Sequence, residues 1–255
     1  MKAIVALVMS IWLTALVPWF GTSAVLAGGT ANCSEALISN RWLGQQSASS
    51  SQRHGAKATF ENWSLVQCTN PGLVEISGSE VWTNLIPTDG SDWDILQIGA
   101  GNCRAPVCHA GMYYYWGGGL RHTTPGCSQF QDSPPVNNGI SSWTAASHTY
   151  AVQHASNVYN LQIDGVTKVV MAESAVCWTP RSAVWFGESW DYGDQIGGTY
   201  YDHLTVSNAQ YQTSEGGGWV NTSFNAASPC NYVATHVPFE CDVTGAQSFD
   251  MWTDR

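Results

Sequence analysis

Short runs rich in Val, Ile, Thr, Tyr, Trp and Phe recur along the chain and are separated by clusters of Gly, Asn, Asp, Ser and Pro. Alternation of period two with turn residues between the runs is the pattern of strands in a sandwich or barrel. The clearest runs are 56–60, 80–85, 93–98, 111–116, 149–154, 159–163, 168–171, 183–188 and 203–212. Gly165, between Asp164 and Val166, predicts a hairpin turn joining two of them. One segment departs from this: 32–46 reads as a short helix, and 47–52 as a polar linker after it. No internal repeat or second composition regime breaks the pattern, so one large antiparallel domain is expected.

The first residues lie outside that pattern. Lys2 is followed by an apolar stretch from Ala3 to Leu16, and Val25-Leu26-Ala27 has the small-x-small form of a signal-peptidase site. Pro18 and Gly21 interrupt the run, and no basic stop-transfer segment follows. The expected organisation is therefore a signal peptide over 1–27, an N-terminal segment over 28–54, a sandwich over 55–223, and a tail over 224–255 packed on the sandwich. That reading implies a secreted protein with no membrane attachment after cleavage, expected to be a monomer.

Charge and cysteine content narrow the partners. The chain carries 19 Asp+Glu against 9 Lys+Arg, a net charge of -10, so it has no basic stripe with which to hold nucleic acid. With 44% hydrophobic residues it can bury enough surface to fold, which excludes disorder. All eight cysteines, Cys33, Cys68, Cys103, Cys108, Cys127, Cys177, Cys230 and Cys241, follow residue 27. An even number in an exported chain reads as disulfides, although eight cysteines allow about a hundred pairings. Loop size favours Cys103–Cys108 and Cys230–Cys241 as local clips. Neither a paired Cys-x2-Cys nor a His-Glu-x-x-His occurs, so no metal and no cofactor is expected. Asp191 and Asp194 could hold calcium in a loop, but a solvated turn is the better account of them. The 7 histidines are scattered, and there is no Gly-x-Ser-x-Gly elbow and no P-loop.

Alternation then singles out two polar side chains. In 93–99, period two groups Trp93, Ile95, Gln97 and Gly99 on one face; in 183–190 it groups Val184, Phe186, Glu188 and Trp190. A glutamate flanked by Phe186 and Trp190 is costly to bury unless it is paired or reached by water. Two roles fit Glu188: a functional carboxylate, or a hydrogen-bond acceptor at a strand end.

Glu80-Val81-Trp82, then Asp92-Trp93-Asp94-Ile95-Leu96-Gln97-Ile98-Gly99, then Met112-Tyr113-Tyr114-Tyr115-Trp116 and finally Trp185-Phe186-Gly187-Glu188, resemble in order the secreted glutamic peptidases called eqolisins. His54-Gly55-Ala56-Lys57-Ala58-Thr59-Phe60 and the stretch from Gly187 to Gly198 are similar to secreted bacterial proteins with a concanavalin A-like sandwich. The dense cysteine framework and Gly117-Gly118-Gly119 depart from the peptidase pattern. The resemblance implies an all-β, concanavalin A-like antiparallel sandwich (jelly roll), stabilised here by disulfides. It also implies that Glu188 is the general base and that Gln97 orients water and donates to the developing oxyanion. Trp93, Tyr114, Trp116 and Trp190 are the expected substrate contacts.

The chemistry fits those residue types independently. Hydrolysis of a peptide needs a group to take a proton from water and a donor aimed at the carbonyl oxygen; a carboxylate and a primary amide supply them. An unperturbed Glu titrates at about 4.3, so such a base suits acidic surroundings. The expected partner is thus a polypeptide, or a polysaccharide under two alternatives. One is a non-catalytic carbohydrate-binding protein, since 13 Trp and 10 Tyr could include platforms such as Trp116, Trp143, Trp190 and Trp219. The other is a glycoside hydrolase in which Glu75, Glu80 or Glu173 pairs with Glu188.

Overall fold

The computed structural model describes residues 41–61, 78–87, 94–103, 111–120, 131–132, 147–176, 178–189, 198–199, 202–233 and 239–253. Two antiparallel sheets account for nearly all of them. The first, seven-stranded, has the order β14 (Tyr232–Val233), β1 (Arg41–Ala48), β10 (Ser182–Ser189), β3 (Gly78–Ile86), β4 (Asp94–Cys103), β5 (Gly111–Leu120), β6 (Gln131–Asp132). The second, nine-stranded, runs β15 (Phe239–Gly245), β16 (Ser248–Thr253), β11 (Gly198–Thr199), β12 (Asp202–Gln212), β2 (Gly55–Glu61), β7 (His148–Ala155), β8 (Val158–Ile163), β9 (Val166–Ala172), with β13 (Val220–Asn221) beside β12. One 3-10 turn, Glu173–Ala175, is the sole helical element among the described residues. No helix among them is long and apolar enough to cross a membrane.

Period two explains which side chains meet between the sheets. Leu43, Val81, Leu85, Leu96, Ile98 and Trp185 of the first sheet are buried with Phe60, Tyr150, Leu161, Val206 and Phe249 of the second in one continuous core. Full burial of each such side chain contributes about 1.5–3 kcal/mol. Aromatic rings meet edge-on within it: Phe60 and Tyr150 have centroids 5.6 Å apart and an interplanar angle of 68°.

The intervening residues of the first sheet point the other way. Ile86, Val184 and Phe186 form a second, smaller cluster, with Trp42, Ile95 and Tyr232 packed against it. The first sheet is therefore apolar on both faces, and its outer face is where polar side chains stand among hydrophobic ones.

Strand locations follow the sequence pattern closely except at β1, which also takes in residues 47 and 48 of the expected linker. The helix expected over 32–46 is not what residues 41–46 form, because they belong to β1, hydrogen-bonded between β14 and β10; residues 32–40 lie outside the described residues. Leu43 enters the core while Trp42 and Gly44 take the outer face, so alternate burial and ladder pairing outweigh a helical reading, and glycine at 44 is a poor helix former. Strands also occur outside 55–223: β1 and β14 lie in the first sheet, β15 and β16 in the second. The expected hairpin at Gly165 is present, with Asp164 at φ 51° and Gly165 at φ 74°, the positive pair that a tight two-residue turn requires. Ser156 (φ 56°) and Asn157 (φ 60°) make a second such turn between β7 and β8.

The Cys230–Cys241 disulfide is formed. Cys103 is a position of β4, and Cys33, Cys68, Cys108, Cys127 and Cys177 lie outside the described residues, as do the 1–27 segment, Asp191 and Asp194.

Candidate active site

Gln97 and Glu188 stand on the same face of the same sheet. Antiparallel register aligns Gln97 (β4) with Asn84 (β3), and Asn84 with Val184 (β10). In a second row Gly101 (β4) aligns with Glu80 (β3), and Glu80 with Glu188 (β10). Directly opposite residues share a face, as do residues two and four apart on one strand, so both side chains belong to the outer face. They are two strands and four residue positions apart. On a flat sheet that offset sets their Cα atoms about 16 Å apart, from strand spacings of ~4.8 Å and rises of ~3.3 Å.

Each polar group has a defined setting. Gln97 is 8% exposed, and its Oε1 accepts a hydrogen bond from Asn84 Nδ2 at 3.3 Å. Asn84 is 1% exposed. Glu188, 8% exposed, has Trp42 of β1 and Glu80 of β3 as its cross-strand partners.

Tyr232 completes the wall beside Glu188, and sequence reading did not select it. Its strand has only two residues, too short to leave a period, and the one signal nearby is Cys230, two positions before it. Tyr232 pairs with Gly44, and Gly44 pairs with Phe186. Because Gly44 has no side chain, Tyr232 reaches over it to Phe186, with ring centroids 5.3 Å apart, while Trp42 lies 6.1 Å away. Burial, and then the nearby Glu188 carboxylate, push the Tyr232 phenol well above its usual range, so it remains a protonated hydroxyl.

The other expected site residues divide. Tyr114 and Trp116 of β5 align with Ala100 and Ile98, whose side chains are buried in the core. Tyr113 and Tyr115 align with Gly101 and Gly99, in the rows of the outer face. Trp93, Trp143 and Trp190 lie outside the described residues. Trp219 belongs elsewhere: Lys57 Nζ, on the second sheet, sits 4.5 Å from its ring centroid. Among the described residues no group of three or more His, Cys, Asp or Glu is arranged to hold a metal ion.

By sequence, no protein-family model and no curated protein matches the chain. By structure it is similar to SCP-B, a member of the eqolisin family of peptidases, in complex with the tripeptide Ala-Ile-His; the TM-score is 0.50 and the identity 14%, over 86% of this chain and 100% of that one. It is also similar to scytalido-glutamic peptidase bound to a transition-state analogue inhibitor, with a TM-score of 0.52 and 12% identity over the same shares. A Bacillus licheniformis β-glucanase aligns over 58% of each chain with a TM-score of 0.32 and 16% identity. Matches at these identities speak to architecture alone, and what they establish is that the chain has the β-sandwich fold of the eqolisin glutamic peptidases.

Proposed function

We propose that this chain is a secreted, acid-acting glutamic endopeptidase that hydrolyses peptide bonds with Glu188 and Gln97. The observation that carries the proposal is their shared position on the outer face of one sheet, two strands and four residue positions apart. In the first step a water O–H proton passes to the Glu188 carboxylate as the water oxygen bonds to the carbonyl carbon. The oxygen of that carbonyl becomes negative, and Gln97 Nε2–H donates to it. The C–N bond then breaks, the Glu188 carboxylic acid returns its proton to the leaving amine, and a carboxyl and an amine are released.

A second reading draws on one observation. Glu80 and Glu188 are direct cross-strand partners. Carboxyl groups about 5–5.5 Å apart are what a retaining glycoside hydrolase uses. Gln97 has no assigned task in that chemistry, which is why it ranks second.

Incubation with a denatured protein and, separately, with a β-glucan at about pH 4, near the unperturbed Glu value, followed by mass spectrometry of the products, separates the classes. Peptides with new termini are expected. Soluble sugar without peptides, or retention on the polysaccharide without any product, would contradict the peptidase.

A further inference from the structure

A glutamine serves an oxyanion only with the right end forward. Its amide has a donor end and an acceptor end of nearly the same shape, and a half-turn about the last torsion exchanges them. We infer that Asn84 is the positioning residue that prevents this exchange at Gln97, an inference that rests on Gln97 being the oxyanion donor.

Asn84 is the direct cross-strand partner of Gln97 and sends Nδ2–H to Gln97 Oε1 at 3.3 Å, between two side chains that are both buried. A donor facing Gln97 can be met by Oε1 but not by Nε2, which is itself a donor. The contact therefore leaves Nε2 uncommitted to Asn84. In the reverse arrangement Gln97 Nε2 would be spent on Asn84 and lost to the reaction.

The surroundings of Asn84 make its amide hard to explain otherwise. Its partner on the opposite strand is Val184, and Val184 and Ile86 belong to the apolar outer cluster. Asn84 Oδ1 is buried without a hydrogen-bond partner among the described residues. An unsatisfied amide oxygen at an apolar position lowers stability, and an aliphatic side chain would suit the site better. The task performed by Nδ2 accounts for keeping an amide there.

Two substitutions test this with steady-state kinetics and urea unfolding of the full chain. Asn84→Asp keeps the shape but, when ionised, offers only acceptors and so captures Gln97 Nε2. Its kcat should fall about 10- to 100-fold relative to the unsubstituted protein, with KM within about twofold, as for loss of a transition-state contact. The ratio of the two kcat values should recover as pH drops through the range of the carboxyl, ordinarily about 4, because the protonated acid regains a donor. A ratio that does not change with pH overturns the inference. Asn84→Leu removes the donor without leaving an unmatched oxygen, and should be slower yet at least as stable in urea. Lower stability with unchanged kcat would mean that the amide is merely structural.

Orientation can also be read without activity, by NMR of the Gln97 side-chain amide. Its protons should be hydrogen-bonded in Asn84→Asp at neutral pH and not bonded to residue 84 in the unsubstituted protein. If no peptide is cleaved at all, the peptidase reading fails and this spectrum still decides the orientation; identical spectra would overturn it.

Discussion

Gln97 and Glu188 share the outer face of the seven-stranded sheet, two strands and four residue positions apart, and each is 8% exposed. Neither side chain forms part of the core between the sheets, so either can be changed without opening a cavity there. Gln97→Ala should lower kcat about 10²- to 10³-fold, or ~3–4 kcal/mol, as removal of one oxyanion donor does elsewhere, with KM changed only a few-fold. Steady-state kinetics on a peptide substrate checks the split; a rise in KM with kcat unchanged would assign Gln97 to binding alone.

Tyr232, whose phenol feels the Glu188 charge, sits on a two-residue strand two positions after Cys230, whose disulfide partner Cys241 is 11 residues away. Closing a loop of that length restricts the unfolded chain by about 3 kcal/mol. Cys230→Ser with Cys241→Ser should lose about that much stability in urea and also lower kcat/KM, because β14 is no longer tied beside β1. Stability lost with kcat/KM intact would separate Tyr232 from the site.

Gly44 of β1 packs tightly against β10. A Cβ there would overlap the Trp185 carbonyl oxygen and come within 2.6 Å of Phe186 Cα and Cβ. Gly44→Ala must force the strands apart one row from Glu188, and should cost about 1–3 kcal/mol, the usual range for overpacking. The urea midpoint measures this; an unchanged midpoint would mean that the sheet yields more easily than its register implies.

His54 Nδ1 and His154 Nδ1 lie 3.0 Å apart, with the rings within 1° of parallel. His154 is buried, its ring stacks on that of Tyr159, and its Nε2 is 3.6 Å from Glu173 Oε1. Such a contact needs one proton between the two nitrogens, and a further charge there is repelled. Burial first, and then His154, hold His54 below its ordinary value of 6.5, against smaller opposing contributions from Glu215 and Glu173. A folded value below the unfolded one means that the unfolded chain takes up protons first. This contribution to stability is complete above about pH 6.5 and is lost as pH falls through the folded value. Between about pH 7.5 and pH 5 the unsubstituted protein should therefore lose more stability than His54→Gln does, by thermal or urea unfolding; equal losses would refute it. An enzyme working in acid would carry this cost throughout its range.

Much of the architecture is legible in the sequence because period two and turn chemistry are local signals. Val184, Phe186 and Glu188 share the outer face as their spacing implies, and Asp164-Gly165 turns where its residues allow positive φ. What stays hidden depends on partners distant in the chain. Residues 41–46 become a strand because β10 and β14 flank them, which no local pattern records. In the run Tyr113-Tyr114-Tyr115-Trp116 every position is aromatic, so no alternation sorts them, and only the register with β4 places each in a row of the sheet. Asn84 and Tyr232 escape notice for a related reason: each acquires its role from the residue opposite, Gln97 and Gly44 respectively.

The most direct measurement is the rate of peptide hydrolysis by the unsubstituted protein and by Glu188→Gln, side by side between about pH 3 and pH 6, with folding of both verified by circular dichroism. Removing the only base in the proposed sequence should reduce kcat by about 10³-fold or more at every pH, since general-base assistance alone contributes about 10²- to 10⁴-fold. A folded Glu188→Gln protein that cleaves peptides at the unsubstituted rate would contradict the account.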